Sequence, residues 1–302
     1  MNRPTRASES GRAYLDLQNR ARAERSGTQQ LLTLYVVERW LARLSASPHV
    51  DKFVIKGGML LAAFDARRPT ADLDALARSI DDDQQTIVDF VSEIAALPLN
   101  DGVQYRTATA TSRLIRDQAN YSGVRIAMDC TIATATVKFR LDINFGDPIT
   151  PAPGLVTLPS LRPGMEPVRV LGYPVETVLA EKIATAIALG PANTRVRDYA
   201  DIYALTGKRT ITHRTARRAL LATTAYRGTP IQRLSDALGN FTELRRQTFD
   251  AYRTSLGDVG RQLPADLKAL VSAVTTFADP LAAEAHKAIW EPTERQWSQL
   301  PN

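Results

Sequence analysis

The sequence predicts an α/β fold, of the α+β kind, in which helices flank a mixed β-sheet and a mainly α-helical C-terminal domain follows. Short apolar or alternating segments typical of strands occur between residues 53 and 145, interleaved with helical patterns. Beyond residue 163 the patterns are helical. Prolines at positions 148, 151, 153, 159 and 163 interrupt regular structure between the two regions. We therefore predict a polar, partly mobile segment at 1–27, a core domain at 28–150 and a mainly helical domain at 151–302.

Composition limits the cofactors and partners. The 302 residues are 44% hydrophobic, which suffices for one large domain or two ordinary ones. The sequence lacks an apolar run of roughly 18 residues and an apolar secretory signal, so we expect a cytoplasmic protein without a membrane span. Cys130 is the only cysteine and the three histidines are scattered, so a metal would be held mainly by carboxylates. The net charge of +6 permits a polyanionic partner.

The first predicted elements alternate between helix and strand. Residues 28–47 have apolar side chains at helical spacing and charged residues on the other face. A short buried strand at 53–55 follows, then a turn at 56–58 and a helix at 59–66. Residues 72–76 have the pattern of a second strand.

The remaining elements complete the sheet and the helical domain. An amphipathic helix with acidic residues in its first turn is predicted at 81–97. Residues 123–132 and 137–145 alternate between apolar and polar, and we predict that they pair as antiparallel strands. Helical patterns in the last part of the chain cover 175–189, 198–205, 212–224 and segments near 241–257 and 262–288.

Two aspartates, Asp72 and Asp74, lie on the second predicted strand. Because successive strand side chains point to opposite faces, both carboxylates project to one side while Leu73 enters the core. Asp142 lies on the polar face of its own strand and supplies a third carboxylate if the two strands are neighbours. Carboxylate oxygens are the ligands that Mg²⁺ or Mn²⁺ prefers, so the sequence predicts a divalent metal site. An Asp-x-Asp pair taken alone is also frequent by chance.

Gly57 and Gly58 stand where a strand passes into a helix. Glycines at such a junction let backbone N–H groups approach phosphates without obstruction by side chains. We therefore predict that Lys56, Gly57 and Gly58 contact a triphosphate, although the same pattern also forms ordinary tight turns.

The order and spacing of these features resemble a known family. In chain order the motifs are Lys56-Gly57-Gly58, Arg68-x-Thr70-x-Asp72-x-Asp74, Glu181-Lys182 and Arg197-Asp198-x-x-Asp201. The first two are similar to the nucleotidyltransferase superfamily of the DNA polymerase β type. The whole set resembles the AbiEii toxins of bacterial toxin–antitoxin and abortive-infection systems, which include the mycobacterial MenT toxins. The resemblance covers about residues 53–205.

The resemblance implies roles for four residues. Asp72 and Asp74 are expected to bind metal, and Lys182 and Asp201 to be catalytic, with Lys182 also meeting the triphosphate. On a helix, Asp201 would orient the ammonium or accept a proton. Without the resemblance, the residues alone favour an ordinary solvated helix lysine at Lys182 and a salt bridge to a neighbouring helix at Asp201.

Three other residues each have more than one interpretation. Arg68 either contacts phosphate as a planar donor or pairs with Asp65. Thr70 occupies the place of the hydroxyl residue that is the target of kinase-type antitoxins in MenT-like toxins, where a phosphate would repel the triphosphate. Alternatively, its hydroxyl satisfies a turn. Asp198 is a functional residue, an N-cap, or a surface partner of Arg197.

The resemblance implies a toxin that transfers nucleotides from a nucleoside triphosphate to an RNA. The leading acceptor is the 3′ end of tRNA, where added nucleotides would block aminoacylation and translation, and a cognate antitoxin is expected. The residues leave two alternatives open. One is a transferase that modifies a small molecule, such as an aminoglycoside, or a protein hydroxyl. The other is a non-catalytic regulator that binds nucleotides or nucleic acid.

Overall fold

The computed structural model describes residues 3–66, 70, 72–80, 83–116, 122–284 and 287–299, which form two compact units. The first unit comprises Met1–Ala63, Pro69–Gly146 and Gly154–Gly172, and the second comprises Phe64–Arg68, Asp147–Pro153 and Tyr173–Asn302. This division differs from the predicted boundary at 150/151. The reason is that residues 154–172 contribute two strands to the sheet of the first unit.

The first unit contains the helices α1 (Glu9–Ala23), α2 (Thr28–Ala46), α3 (Gly57–Leu60) and α4 (Gln84–Ala96), and a 3₁₀ turn extends α3 over Leu61–Phe64. α1 occupies most of the segment predicted to be polar and partly mobile, and the Ser8 hydroxyl accepts a hydrogen bond from the Gly11 amide at its start. α2 matches the predicted helix. α4 begins after Asp83, later than predicted, because the Asp83 carboxylate caps the Thr86 amide at 2.8 Å.

Seven strands form the sheet of the first unit, in the order β3-β4-β5-β2-β1-β7-β6. They are β1 (Phe53–Lys56), β2 (Leu73–Ala77), β3 (Val103–Arg116), β4 (Ser122–Ile132), β5 (Ala135–Phe145), β6 (Gly154–Leu158) and β7 (Val168–Gly172). β2 runs parallel to β5 and β1 parallel to β7, while the other neighbours are antiparallel. The predicted mixed sheet and the antiparallel pairing of β4 with β5 are confirmed. β3, β6 and β7 were not predicted.

α2 covers one face of this sheet. Its Trp40 ring lies 5.9 Å from Phe53 of β1 and 5.6 Å from Phe139 of β5, measured between ring centroids. Phe139 is fully buried, whereas its neighbours Lys138 and Arg140 point the other way and are exposed. The strands therefore have one apolar face against helices and one polar face.

The second unit is mainly helical. Its helices are α5 (Val175–Leu189), α6 (Val196–Thr206), α7 (His213–Tyr226), α8 (Leu234–Ala237), α9 (Phe241–Ser255) and α10 (Leu267–Ala278). A small antiparallel sheet, in the order β10-β9-β8, joins β8 (Ile211–Thr212), β9 (Ala288–Glu291) and β10 (Gln296–Gln299). The helix predicted at 262–288 is therefore shorter than expected. In β9 the buried Trp290 donates its indole N–H to the Thr206 carbonyl at 2.7 Å. Among the described helices, none is long and apolar enough to cross a membrane.

Candidate active site

Five charged residues lie side by side across the sheet of the first unit, and we call them the charged row. In order across the strands they are Arg113, Arg125, Asp142, Asp74 and Lys56, each the register partner of the next. Register partners on neighbouring strands share a face and lie about 5 Å apart. The predicted proximity of Asp142 to Asp74 is therefore confirmed, and basic residues flank the two aspartates on both sides.

Asp72 directly precedes β2, two residues before Asp74. Its side chain is 38% exposed, and the Arg140 guanidinium is 3.9 Å from its Oδ1 atom, too far for a hydrogen bond. Oδ1 itself is buried and has no hydrogen-bond partner among the described residues. A buried carboxylate oxygen without a donor is costly unless a ligand satisfies it, so Asp72 fits the metal-binding role predicted for it.

Gly57 is required by its backbone and by its neighbour. Its φ is +67°, and a Cβ atom at this position would collide with the carboxylate of Asp74. The Asp74 carboxylate thus lies directly over the Gly57 backbone, while Gly58 and Lys56 on either side are largely buried. α3 is only four residues long, so the predicted phosphate contact at this turn would depend on individual amides rather than on a helix dipole.

Asp142 has a partner that the sequence analysis missed. The guanidinium of Arg125 on β4 donates to both of its oxygens, from Nε at 2.6 Å and from Nη2 at 2.5 Å. The hydrogen bond from this bidentate pair raises the pKa of Arg125, which therefore stays charged. In this arrangement both Asp142 oxygens are occupied, and a third metal ligand at Asp142 would require Arg125 to release one of them.

A second cluster, in the second unit, contains Lys182, Asp198 and Asp201. The Lys182 ammonium on α5 donates to Asp198 at 2.8 Å and to Asp201 at 2.7 Å, both on α6. Arg195 donates from Nε to the other oxygen of Asp198 at 2.6 Å. All three members are at least nine-tenths buried, so neither the solvated lysine nor the surface pair of Asp198 with Arg197 describes them. We call this group the Lys182 cluster.

Electrostatics fix the charge states in the Lys182 cluster. Burial opposes the charge on Lys182, but the carboxylates of Asp201 and Asp198 outweigh it and raise the pKa of the ammonium. Burial also disfavours the charged form of Asp198, yet Lys182 and Arg195 lower its pKa to about 2. At neutral pH the cluster therefore holds a protonated lysine, which is a fixed cation rather than a proton acceptor.

Asp201 also borders a cavity within the second unit. The cavity has a volume of about 270 Å³, and its wall includes Tyr203, Lys208, Tyr252 and Arg295. The guanidinium of Arg295 lies 3.5 Å from the centre of the Tyr203 ring. Asp201 of the Lys182 cluster therefore lines a cavity whose wall also carries aromatic and basic side chains.

The remaining predicted residues are Arg68 and Thr70. Arg68 lies outside the described residues. Thr70 is half-buried, and its hydroxyl donates a hydrogen bond to the Asp72 carbonyl at 3.2 Å. This bond satisfies a turn immediately before β2. Within the described ranges, no group of three or more His, Cys, Asp or Glu side chains is arranged to hold a metal ion. Asp142, the third predicted carboxylate, is held by Arg125 instead.

Comparisons with known proteins are consistent with these features. The family model described as nucleotidyl transferase AbiEii toxin, type IV toxin–antitoxin system, matches residues 39–285. Among solved structures, the chain is similar to MenT4, a nucleotidyltransferase toxin from Mycobacterium tuberculosis H37Rv, with 18% identity, 70% of this chain and 68% of that chain covered, and a TM-score of 0.48. It is also similar to JHP933 from Helicobacter pylori, with 13% identity, coverage of 78% and 92%, and a TM-score of 0.42. No curated protein matches. The family match spans both the charged row and the Lys182 cluster.

Proposed function

Since the chain belongs to the AbiEii family of nucleotidyltransferase toxins of type IV toxin–antitoxin systems, we propose that it adds nucleotides from a nucleoside triphosphate to an RNA 3′ end in the cytoplasm. The proposed target is the acceptor end of tRNA, where an added nucleotide would block aminoacylation and so stop translation. The observation that carries the proposal is the pair Asp72 and Asp74. The Asp74 carboxylate lies against the Gly57 backbone, and one buried Asp72 oxygen is unsatisfied among the described residues.

In the proposed reaction the 3′ hydroxyl oxygen of the RNA attacks the α-phosphorus of the triphosphate. The bond from that phosphorus to the bridging oxygen of the β-phosphate breaks, and pyrophosphate leaves with the electron pair while the hydroxyl proton is released. Asp72 and Asp74 would hold a divalent cation, Mg²⁺ or Mn²⁺, whose charge stabilises the triphosphate and favours ionisation of the attacking hydroxyl. Backbone amides at Gly57 and Gly58 would donate to phosphate oxygens.

The flanking charges of the charged row would tune this pair of carboxylates. Lys56, the register partner of Asp74, is a cation suited to a phosphate oxygen on that side. On the other side, Arg125 holds Asp142, which limits the negative charge next to an incoming triphosphate. Asp142 would join the metal ligands only after Arg125 moves.

We assign Lys182 and Asp201 an electrostatic role in the same reaction. Because its pKa is raised, Lys182 remains an ammonium at neutral pH and would stabilise negative charge on phosphate oxygens. It has three N–H donors, of which Asp198 and Asp201 take two. Asp201 would then orient the ammonium rather than accept a proton.

The family implies a cognate antitoxin, and Thr70 is the proposed point of control. Its hydroxyl now donates to the Asp72 carbonyl. A phosphate on that hydroxyl would lose this bond and place about two negative charges beside Asp72 and Asp74. The triphosphate would then be repelled from the carboxylate pair.

The test is a transfer assay with the purified protein. Wild type and Asp72→Asn are incubated with total bacterial tRNA, Mg²⁺ and each α-labelled triphosphate separately, and the products are resolved on a denaturing gel. We expect label on tRNA with at least one triphosphate for wild type and none for the variant. Asp250→Asn is the matched control, because Asp250 is an exposed aspartate on α9 of the second unit.

Label that appears in neither protein would contradict a tRNA acceptor. The same reaction with an aminoglycoside or with cell protein in place of tRNA then separates the other two transferase alternatives. Retention of full transfer in Asp72→Asn would contradict the role of the carboxylate pair.

A further inference from the structure

One face of strands β3, β4 and β5 carries a grid of polar side chains, which we call the outer sheet face. Register partners define it in rows across the strands. The first row is Arg106, Asp129 and Lys138; the second is Thr111, Ala127 and Arg140; the third is Arg113, Arg125 and Asp142. A bulge in β3 between Arg106 and Thr111 preserves this arrangement, because their partners on β4 are two residues apart and so share a face.

The outer sheet face points away from the helices that cover the sheet. Residues of the opposite face contact them: Phe139 packs on Trp40 of α2, and the Ser112 hydroxyl bonds to Gln84 of α4. Several side chains of the outer sheet face are instead exposed to solvent. Arg106 and Arg113 are exposed, and the side chain of Arg140 is 46% exposed.

The positive charge on this face is only partly balanced. Lys138 pairs with Asp129 at 2.6 Å, and Arg125 pairs with Asp142. Arg106 and Arg113 have no ion pair among the described residues. The only ion pair of Arg140 among these residues is the 3.9 Å contact of its guanidinium with Asp72. Three guanidinium groups are therefore available to a polyanion on a face whose own carboxylates are already paired.

The outer sheet face leads to the proposed reaction centre. The third row continues through Asp142 to Asp74, so Arg113 lies three strand spacings, or about 14 Å, from Asp74. In the second row, Arg140 lies next to Asp72. Rows on one face are about 7 Å apart along the strands. Arg106, two rows from Arg113 on the same strand, lies about 20 Å from Asp74 by the same spacings. The three arginines thus form a positive track that leads to the carboxylate pair.

The geometry points to the outer sheet face as the surface that binds the sugar–phosphate backbone of the single-stranded acceptor end of the RNA, with Arg106, Arg113 and Arg140 on its phosphates. This assignment rests on the proposed function for its substrate. The described side chains of the face include no aromatic ring on which a base can stack. Binding is therefore electrostatic, sensitive to salt and tolerant of sequence.

The test measures RNA binding without any triphosphate, so it does not depend on turnover. A fluorescein-labelled single-stranded RNA that ends in CCA, and a full tRNA, are titrated with the whole protein at several salt concentrations. The variant is Arg106→Gln/Arg113→Gln/Arg140→Gln, with the three single variants alongside. The control is Arg6→Gln/Arg22→Gln/Arg261→Gln, which removes the same charge from exposed positions elsewhere.

Loss of three phosphate contacts should reduce the slope of log affinity against log salt by about 2, at about 0.7 per contact for a single strand. Between 50 and 200 mM salt, wild type should accordingly lose about 20-fold more affinity than the triple variant. Each single variant should reduce the slope by about 0.7, and the control variant should keep a slope near that of wild type.

A triple variant with the slope and affinity of wild type would overturn the assignment and leave the face to a protein partner. Equal losses in the triple variant and the control would also overturn it, because net charge alone would then explain binding. The transfer assay separates this failure from that of the proposed function. If wild type transfers nucleotides to tRNA but the triple variant binds RNA as well as wild type does, only the binding surface is refuted. If the triple variant binds RNA more weakly but wild type transfers nothing to tRNA, only the reaction is refuted.

Discussion

Replacement of Lys182 by methionine should destabilise the second unit by about 3–5 kcal/mol. The methionine side chain has a similar length but no charge. It would leave the carboxylates of Asp198 and Asp201, each 3% exposed or less, without the ammonium that bonds to them at 2.8 and 2.7 Å. Arg195 still contacts Asp198, but its own side chain is 40% exposed, so water screens its charge.

This loss is large against the roughly 5–15 kcal/mol by which a typical domain is stable. A tenfold change in an equilibrium constant corresponds to about 1.4 kcal/mol. Where hydrogen exchange reports the equilibrium between closed and open states, amides in the two helices that hold the Lys182 cluster should therefore exchange on the order of 100- to 5,000-fold faster. Amides of β1, β2 and β5 in the first unit should change much less.

Hydrogen exchange followed by mass spectrometry of peptides from Val175–Leu189 and Val196–Thr206 measures the effect. Lys268→Met, an exposed position on α10, serves as the matched control and should stay within about 0.5 kcal/mol of wild type. An acceleration below tenfold for Lys182→Met would refute the buried charge cluster. Recovery of protection on adding Asp198→Asn and Asp201→Asn would assign the loss to unpaired charge rather than to packing.

Three other predictions concern the charges and the turn. Gly57→Ala should destabilise the protein by about 1–3 kcal/mol and abolish transfer, because the backbone has a positive φ there and the new Cβ would collide with Asp74. Denaturant melts measure the loss. They should show none for the control Gly154→Ala, where a Cβ meets nothing within 4 Å. Because its pKa is lowered, ionised Asp198 contributes about 2 kcal/mol to the free energy of unfolding. This contribution is fully present above about pH 4 and is lost as the pH falls through about 2. Unfolding measured across this pH range without an extra loss of stability would contradict the prediction. Arg125→Gln should strengthen Mn²⁺ binding about tenfold in calorimetric titration by removing a nearby cation and freeing the carboxylate it holds; unchanged or weaker binding would count against that geometry.

The polar side of the site could be predicted because strand periodicity is local. The alternation in 137–145 placed Asp142 opposite the buried Phe139, and the same rule placed Asp72 and Asp74 together. These patterns depend on residues within a few positions of each other, so they survive without knowledge of the fold. The pairing of β2 with β5, which brings Asp74 beside Asp142, then confirmed that expectation.

The partners of these residues could not be predicted, since they come from distant parts of the chain. Arg125 is 17 residues from Asp142, and its place on the polar side of an alternating strand was the one local signal for it. The helical pattern around Lys182 fits a solvated surface lysine. The carboxylates that bind it, those of Asp198 and Asp201, lie on another helix, 16 and 19 residues away. The polar strand β3 gave no apolar alternation because much of it lies open on the outer sheet face.

The most direct test of the proposed reaction is to sequence the 3′ ends of RNA from bacteria that express wild type or Asp74→Asn. We predict untemplated nucleotides beyond the CCA end of tRNA, together with arrested growth, for wild type alone. Intact tRNA ends in arrested cells that express wild type, or extended ends in cells that express Asp74→Asn, would contradict the proposal that this carboxylate pair extends the acceptor end.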